Sequence, residues 1–196
     1  FGALWAGARR GKPPRCAPGA PEFSCRGVRV TPAVFSPRPE SGGVLQGALA
    51  VGGRRILYVG TGSGALAVTL ALETGAQVFA VDISGDALAV AAENAPRLDA
   101  PVAFFRGDLL RAVASRSMDL IVSNPPYVPR TDKVGLQREV REWEPELALY
   151  GGESGLDVYR RIVEDAARVL RPGGLLIMGL GFQSRAGVSD MLSGWG

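Results

Sequence analysis

The 196-residue chain carries 22 basic and 19 acidic residues, a net charge of +3, and 46% hydrophobic residues, enough apolar content for one core and too mild a charge for a dedicated nucleic-acid binder. It has no histidine, which excludes Ser-His-Asp and Cys-His nucleophilic systems and removes the commonest metal ligand, so no metal is expected. No run of 18 uncharged apolar residues exists, and Cys16 and Cys25 have neither zinc nor redox-pair spacing, so the chain reads as a cytoplasmic protein without a membrane segment.

Residues 1–50 are rich in Pro, Gly and Arg, with short alternating stretches at Val28-Arg29-Val30 and Ala33-Val34-Phe35. They predict an irregular lead-in containing a small hairpin, and the basic cluster Arg9, Arg10, Lys12 and Arg15 reads as a solvated arm. From residue 51 onward the pattern changes to a single domain over 51–196. Strand-like runs at Ile56 to Val59, Gln77 to Val81, Val102 to Phe105, Leu120 to Val122 and Leu175 to Met178 alternate with helix-like runs near 64–73, 84–95 and 156–170. In the last of these, Leu156, Tyr159, Ile162, Val163, Ala166, Ala167 and Leu170 recur at helical spacing and Pro172-Gly173-Gly174 ends it. A short helix is expected near 183–192. Such alternation predicts an α/β fold with a doubly wound, mostly parallel sheet.

The chemistry gathers where strands end. Gly60-Thr61-Gly62-Ser63-Gly64 follows the first strand and opens a helix, so a tight turn there lets backbone and free helix-start amides approach a ligand. Asp82, followed by Ile83, ends the second strand and could accept both hydroxyls of a ribose. Asp108, followed by Leu109, ends the third and could accept an adenine amino group. Asn124-Pro125-Pro126-Tyr127 ends the fourth, and the prolines hold Asn124 extended with its side chain in a defined direction. A polar amide followed by a ring suits a planar, neutral, nitrogen-bearing substrate group. Gly60, Gly62 and Ala65 also satisfy the dinucleotide fingerprint, so the loop by itself does not separate a nicotinamide cofactor from S-adenosylmethionine. The four strand ends in this order point to a methyltransferase with a nucleoside cofactor.

Those residues resemble the class I methyltransferases, with their Rossmann-like sheet, and more narrowly the HemK-like or PrmC-like protein-glutamine methyltransferases that modify peptide-chain release factors. Pro37-Arg38-Pro39-Glu40, Asp119 through Val128, and the segment with Glu144-Pro145, Ala148-Leu149, Gly151-Gly152, Gly155-Leu156 and Tyr159 carry the resemblance. It implies methyl transfer from S-adenosyl-L-methionine, leaving S-adenosyl-L-homocysteine, to the side-chain nitrogen of the glutamine in a release factor's Gly-Gly-Gln tripeptide. Gly60, Thr61, Gly62, Gly64, Asp82, Ile83, Asp108, Leu109 and Asn124 would hold the cofactor. Arg38, Pro39, Asn124, Pro125, Pro126 and Tyr127 would meet the substrate, and Asn124, Pro125 and Tyr127 would be catalytic. The implied partner is the release factor, met by a monomer without a nucleic-acid target.

The chain departs from the family's pattern at Tyr58 and near Gly179, where acids are expected, and at Ser41-Gly42-Gly43 in place of a Thr-acid-apolar continuation. Replacing Tyr58 by Asp is therefore expected to tighten cofactor binding. The family's helical N-terminal domain and its C-terminal strand pair are expected to be missing. Competing readings are methyl transfer to another planar nitrogen, such as a ribosomal-protein glutamine or a nucleic-acid base amine, a dinucleotide-dependent oxidoreductase, and a cofactor-binding scaffold with impaired turnover.

Overall fold

The computed structural model describes residues 27–31, 34, 41–135, 145–181 and 184–193. In chain order these form helix α1 (Ser41–Val51), strand β1 (Arg55–Val59), α2 (Ala65–Thr74), β2 (Gln77–Asp82), α3 (Gly85–Arg97), β3 (Val102–Arg106), β4 (Met118–Ser123), a 3-10 turn (Arg130–Gly135), the single turn α4 (Glu146–Leu149), α5 (Asp157–Val169), β5 (Leu170–Met178) and α6 (Arg185–Leu192). The five strands form one parallel sheet in the order β3-β2-β1-β4-β5. This is the doubly wound arrangement that the alternation predicts. Among the described residues no helix is long and apolar enough to cross a membrane.

Both faces of the sheet are covered, which is why its central strands read as continuous apolar runs rather than alternating ones. Along β1 the side chains still alternate between faces. Ile56 and Tyr58 join Val44, Leu45 and Ala48 of α1 and Leu66, Ala67 and Leu70 of α2. Leu57 and Val59 join Ile121 and the Ile162, Ala166 and Val169 stripe of α5 on the other face. Each fully buried Leu or Ile in these layers contributes about 2 kcal/mol through removal of apolar surface from water.

Three elements differ from expectation. The stretch Ser41–Val51, read as irregular, is an 11-residue helix whose Val44, Leu45 and Ala48 are buried. Its glycines disguise helical spacing that tertiary packing enforces. Strand β5 begins at Leu170 rather than Leu175, directly after α5, and Arg171 to Gly174 form an irregularity between the pairs Met118–Leu170 and Leu120–Leu175. In place of a hairpin strand, the described part of Val28-Arg29-Val30 is unpaired in any sheet. It lies along α3, with Val34 buried against Ala87 and Val90. Residues 32–33 and 35 of the expected hairpin, the Arg9 to Arg15 cluster, and both cysteines lie outside the described residues.

The strand order reverses between β1 and β4. Val59 is in register with Ser123, so the segments leaving these two strands start side by side, at the switch point where open parallel sheets bind ligands.

Candidate active site

The glycine loop leaves β1 and the Asn-Pro-Pro-Tyr segment leaves β4, tied at their roots by the buried Ser123 hydroxyl, which donates to the Val59 carbonyl at 2.9 Å. Gly60 and Thr61 donate to the Val81 carbonyl at 2.9 and 3.1 Å, Gly107 donates to the Asp82 carbonyl at 3.1 Å, and Gly179 donates to the Ser123 carbonyl at 2.9 Å. These bonds continue the ladder past the strands and align the five strand ends along one rim.

Gly60, Gly62 and Gly64 have φ of 76°, 53° and 79°, a left-handed region that side chains other than glycine enter at a cost. Beyond Gly60 and Gly62 the space is open, since a Cβ added there meets no atom within 4 Å. At Gly64 the reason is packing: a Cβ would lie 2.9 Å from Cβ of Ala91, so α3 and the loop touch backbone to side chain. No side chain caps α2 behind the loop, leaving helix-start amides without a protein acceptor. Asp82 is part of the loop's framework, because Oδ2 accepts from Gly62 N–H and Oδ1 from Ser84 N–H, both at 2.9 Å. Each carboxylate oxygen keeps a lone pair for a further donor. Ile83 beside it is 46% exposed.

Thr61 supplies the test of whether a cofactor fits. Its hydroxyl is buried, and it is the one buried side-chain polar atom among the described residues without a hydrogen-bond partner. Buried hydroxyls nearly always have partners, so an unpaired one in a glycine loop with open space above it suits a bound polar ligand. Together with the Asp82 carboxylate, the donor set fits the ribose and polar chain of S-adenosylmethionine. Asp108 is placed differently from a free adenine acceptor: its Oδ2 is held at 2.5 Å by Arg161 of α5 and at 3.5 Å by Arg111. Its Oδ1 takes no hydrogen bond among the described residues. Leu109 next to it bends the chain with φ 50°.

On the β4 side, Pro125 is buried and Asn124 and Pro126 are half-buried, while Tyr127 is 38% exposed with its ring over Gly181. The Asn124 Nδ2 donates to Oγ of Ser41 at 3.1 Å. Among the described residues no hydrogen bond occupies the Asn124 Oδ1 or the Pro125 carbonyl. Behind this segment runs the stretch after α4. Val128 donates to the Leu149 carbonyl at 3.1 Å, Gly151 donates to the Val128 carbonyl and Arg130 to the Gly152 carbonyl, each at 3.0 Å. A Cβ on Gly151 would lie 2.5 Å from the Pro126 carbonyl, and one on Gly155 2.5 Å from that of Tyr127. These glycines are required because two backbones press together. The buried Tyr159 hydroxyl donates to the Gly179 carbonyl at 2.8 Å and accepts from Gly181 N–H at 3.3 Å, fixing the end of β5 against Asn124 and Tyr127. Burial pushes its own titration up, so it stays a neutral donor.

The two departures at expected acids have physical reasons. Tyr58 is 2% exposed in the apolar layer under α1 and α2, and burial, then the nearby Asp82 charge, push its hydroxyl well above the usual tyrosine range. A Cβ at Gly179 would overlap the Asn124 Oδ1, so an acid there would displace the Asn124 carboxamide from its observed position. Arg38 and Pro39 lie outside the described residues. Ser123, Asn94, Arg161 and the wall glycine Gly181 are site components that sequence reasoning missed, whereas Ser41 and Gly179 entered it only as departures from the family's pattern. Of the missed residues, Asn94 alone leaves a local signal, as a polar residue on the buried stripe Ala87, Val90, Ala91, Ala95 of α3.

Two solved structures share this architecture. A methyltransferase from Pyrococcus furiosus matches over 84% of this chain and 76% of its own, with a TM-score of 0.65 and 21% identity. The ribosomal protein L11 methylase from Lactobacillus delbrueckii subsp. bulgaricus matches over 85% and 73%, with a TM-score of 0.60 and 20% identity. The fold is that of the class I S-adenosylmethionine-dependent methyltransferases. Residues 28–140 match the family described as Methyltransferase small domain. The release factor glutamine methyltransferase of Koribacter versatilis is 41% identical over 96% of this chain and 70% of its own length. The protein of the same name from Geobacter sulfurreducens is 44% identical over 95% and 67%. The chain belongs to the release factor glutamine methyltransferase family.

Proposed function

We propose that the protein methylates the side-chain amide nitrogen of the glutamine in the Gly-Gly-Gln motif of peptide-chain release factors. The observation that carries this reading is the pair of open acceptors, Asn124 Oδ1 and the Pro125 carbonyl, placed on the strand next to the one that carries the glycine loop. An amide nitrogen is a poor nucleophile because its lone pair is delocalised into the carbonyl. Acceptors aimed at its NH2 group gain strength as positive charge grows on nitrogen, so they favour the transition state over the ground state. The Tyr127 ring, held over Gly181, covers the amide plane and limits its rotation. When bound, S-adenosylmethionine supplies a methyl group already activated by its sulfonium, for which neither a metal nor a histidine is needed. Thr61, Asp82 and the uncapped amides at the start of α2 bind and orient it, Asp108 borders it through Oδ1, and Ile83 and Leu109 offer apolar contact. Arg38 and Pro39 contact the release factor, which a monomer meets in the cytoplasm without a nucleic-acid target.

The test is incubation with labelled S-adenosylmethionine and a purified release factor, followed by peptide mapping. Label on the Gly-Gly-Gln glutamine is expected. Label elsewhere, or none while the cofactor binds by calorimetry, would sink the reading.

A further inference from the structure

We infer that Ser41 is a positioning residue for the transfer: its hydroxyl sets the Asn124 carboxamide so that the carbonyl, and not the amino group, faces the substrate. The inference rests on the reading above, in which Asn124 accepts from the glutamine NH2. The two ends of an asparagine side chain have nearly the same shape and opposite hydrogen-bonding character. One orientation accepts from a substrate NH2, and the other sets two donors face to face. The prolines that follow Asn124 fix its backbone, but the terminal torsion of asparagine is broad and roughly two-fold. Something packed against the side chain has to choose.

Nδ2 donates to Oγ of Ser41, the first residue of α1, at 3.1 Å, and Ser41 is 3% exposed. At the opposite end, Oδ1 lies over the Cα of Gly179, closely enough that a Cβ there would be 2.2 Å away. Gly179 offers that end no N–H, because its own is donated to the Ser123 carbonyl. Turned around, Oδ1 could accept from the Ser41 hydroxyl instead, but the amino group would face the Gly179 methylene and lose the Ser41 acceptor, and a half-buried unpaired N–H donor is the less favourable outcome. In the observed orientation the amino group is satisfied by Ser41 and the carbonyl is free to accept. Ser41 is 83 residues from Asn124 in sequence and directly follows the Arg38-Pro39-Glu40 segment. The contact therefore joins the chain leaving that segment to the catalytic amide.

The test uses the full chain, a purified release factor and labelled S-adenosylmethionine, with Ser41→Ala, Ser41→Thr and Gly179→Ala. Ser41→Ala should lower kcat about tenfold or more while cofactor Kd stays within about twofold, because the interaction matters in the transition state. Ser41→Thr keeps the hydroxyl and should restore kcat to within about threefold. Gly179→Ala, whose Cβ displaces Oδ1, should reproduce the loss of kcat by another route. By NMR, hydrogen exchange of the Asn124 side-chain NH2 should be faster in Ser41→Ala than in the wild type or Ser41→Thr. Unchanged kcat in Ser41→Ala, or a loss that threonine does not recover, overturns the inference. A wild-type chain that leaves the release factor unlabelled sinks the reading above instead. In that case the NH2 exchange decides on Ser41, and equal rates with and without its hydroxyl overturn its role.

Discussion

Asn124 combines an amino group satisfied by Ser41 with a free carbonyl. In the proposed reaction, truncating it removes an acceptor that acts mainly when charge develops on the substrate nitrogen. Asn124→Ala is therefore expected to lower kcat by about two orders of magnitude, close to 2.7 kcal/mol of transition-state stabilisation, with cofactor affinity nearly unchanged. Single-turnover kinetics and calorimetry check this, and an intact rate would remove Asn124 from the chemistry. Tyr58 behaves in the opposite sense. The family resemblance favours an acid there, but the side chain fills the apolar layer beneath α1 and α2. Tyr58→Asp would leave a cavity and place a second carboxylate near Asp82. A stability loss of about 3 kcal/mol or more is expected, not tighter binding. A thermal unfolding midpoint equal to wild type, together with higher affinity for S-adenosylmethionine, would vindicate the acid.

At the scale of elements, the two halves of the site are held by different neighbours, so they can be perturbed separately. The glycine loop is held from α3. Asn94 donates Nδ2 to the Ser63 carbonyl and to the Arg29 carbonyl, both at 2.9 Å, and accepts from Arg29 N–H at 2.8 Å. Asn94→Ala leaves these backbone groups without their partner, and cofactor Kd is expected to rise about tenfold as the loop loosens. The Asn-Pro-Pro-Tyr segment is held by the stretch ending at Gly155. Gly155→Ala should force the Tyr127 carbonyl away and lower kcat/KM for the release factor about tenfold, leaving cofactor Kd within about twofold. Calorimetry alongside steady-state kinetics on both variants separates them, and a matching loss of cofactor affinity in both would show that the halves are not independent. Much of this division was legible beforehand. Apolar runs between turn residues mark all five strands, and the residues singled out at four strand ends, from Gly60 to Tyr127, do lie along one rim of the sheet. What stayed hidden was long-range or masked by composition. The glycines of Ser41–Val51 conceal α1, Pro172-Gly173-Gly174 reads as a stop although β5 is already running, and the partners Ser41 of Asn124 and Arg161 of Asp108 are separated from them by 83 and 53 residues. No local pattern records such pairs, because packing alone brings them together.

Across the whole molecule, chemistry and acid stability sit at opposite ends of the sheet. The site occupies the carboxyl ends of the strands, whereas Asp119 lies near the start of β4. It accepts from Arg54 and Arg55 N–H at 3.0 and 2.8 Å and from the Arg171 guanidinium at 2.9 Å. Burial pushes its carboxyl up, but the Arg55 N–H bond, the Arg171 guanidinium and the Arg54 N–H bond together outweigh that and hold it below the usual range. A carboxyl depressed in the folded state contributes stability that is fully present above its unfolded value of about 4 and is lost as pH falls through the folded value. Between those two values the unfolded chain binds the proton and the folded chain does not, so stability must rise with pH there. With no histidine in the chain, no side chain has an ordinary pKa between about 5 and 8, and this contribution should be constant across that interval. Asp119→Asn is expected to lower the unfolding temperature at pH 7 by an amount that stays level down to about pH 5 and shrinks toward zero in stronger acid. Thermal unfolding of both proteins from pH 7 to pH 2 measures that gap, and a gap that stayed constant into strong acid would mean the carboxylate's charge contributes nothing to holding β1, β4 and β5 together.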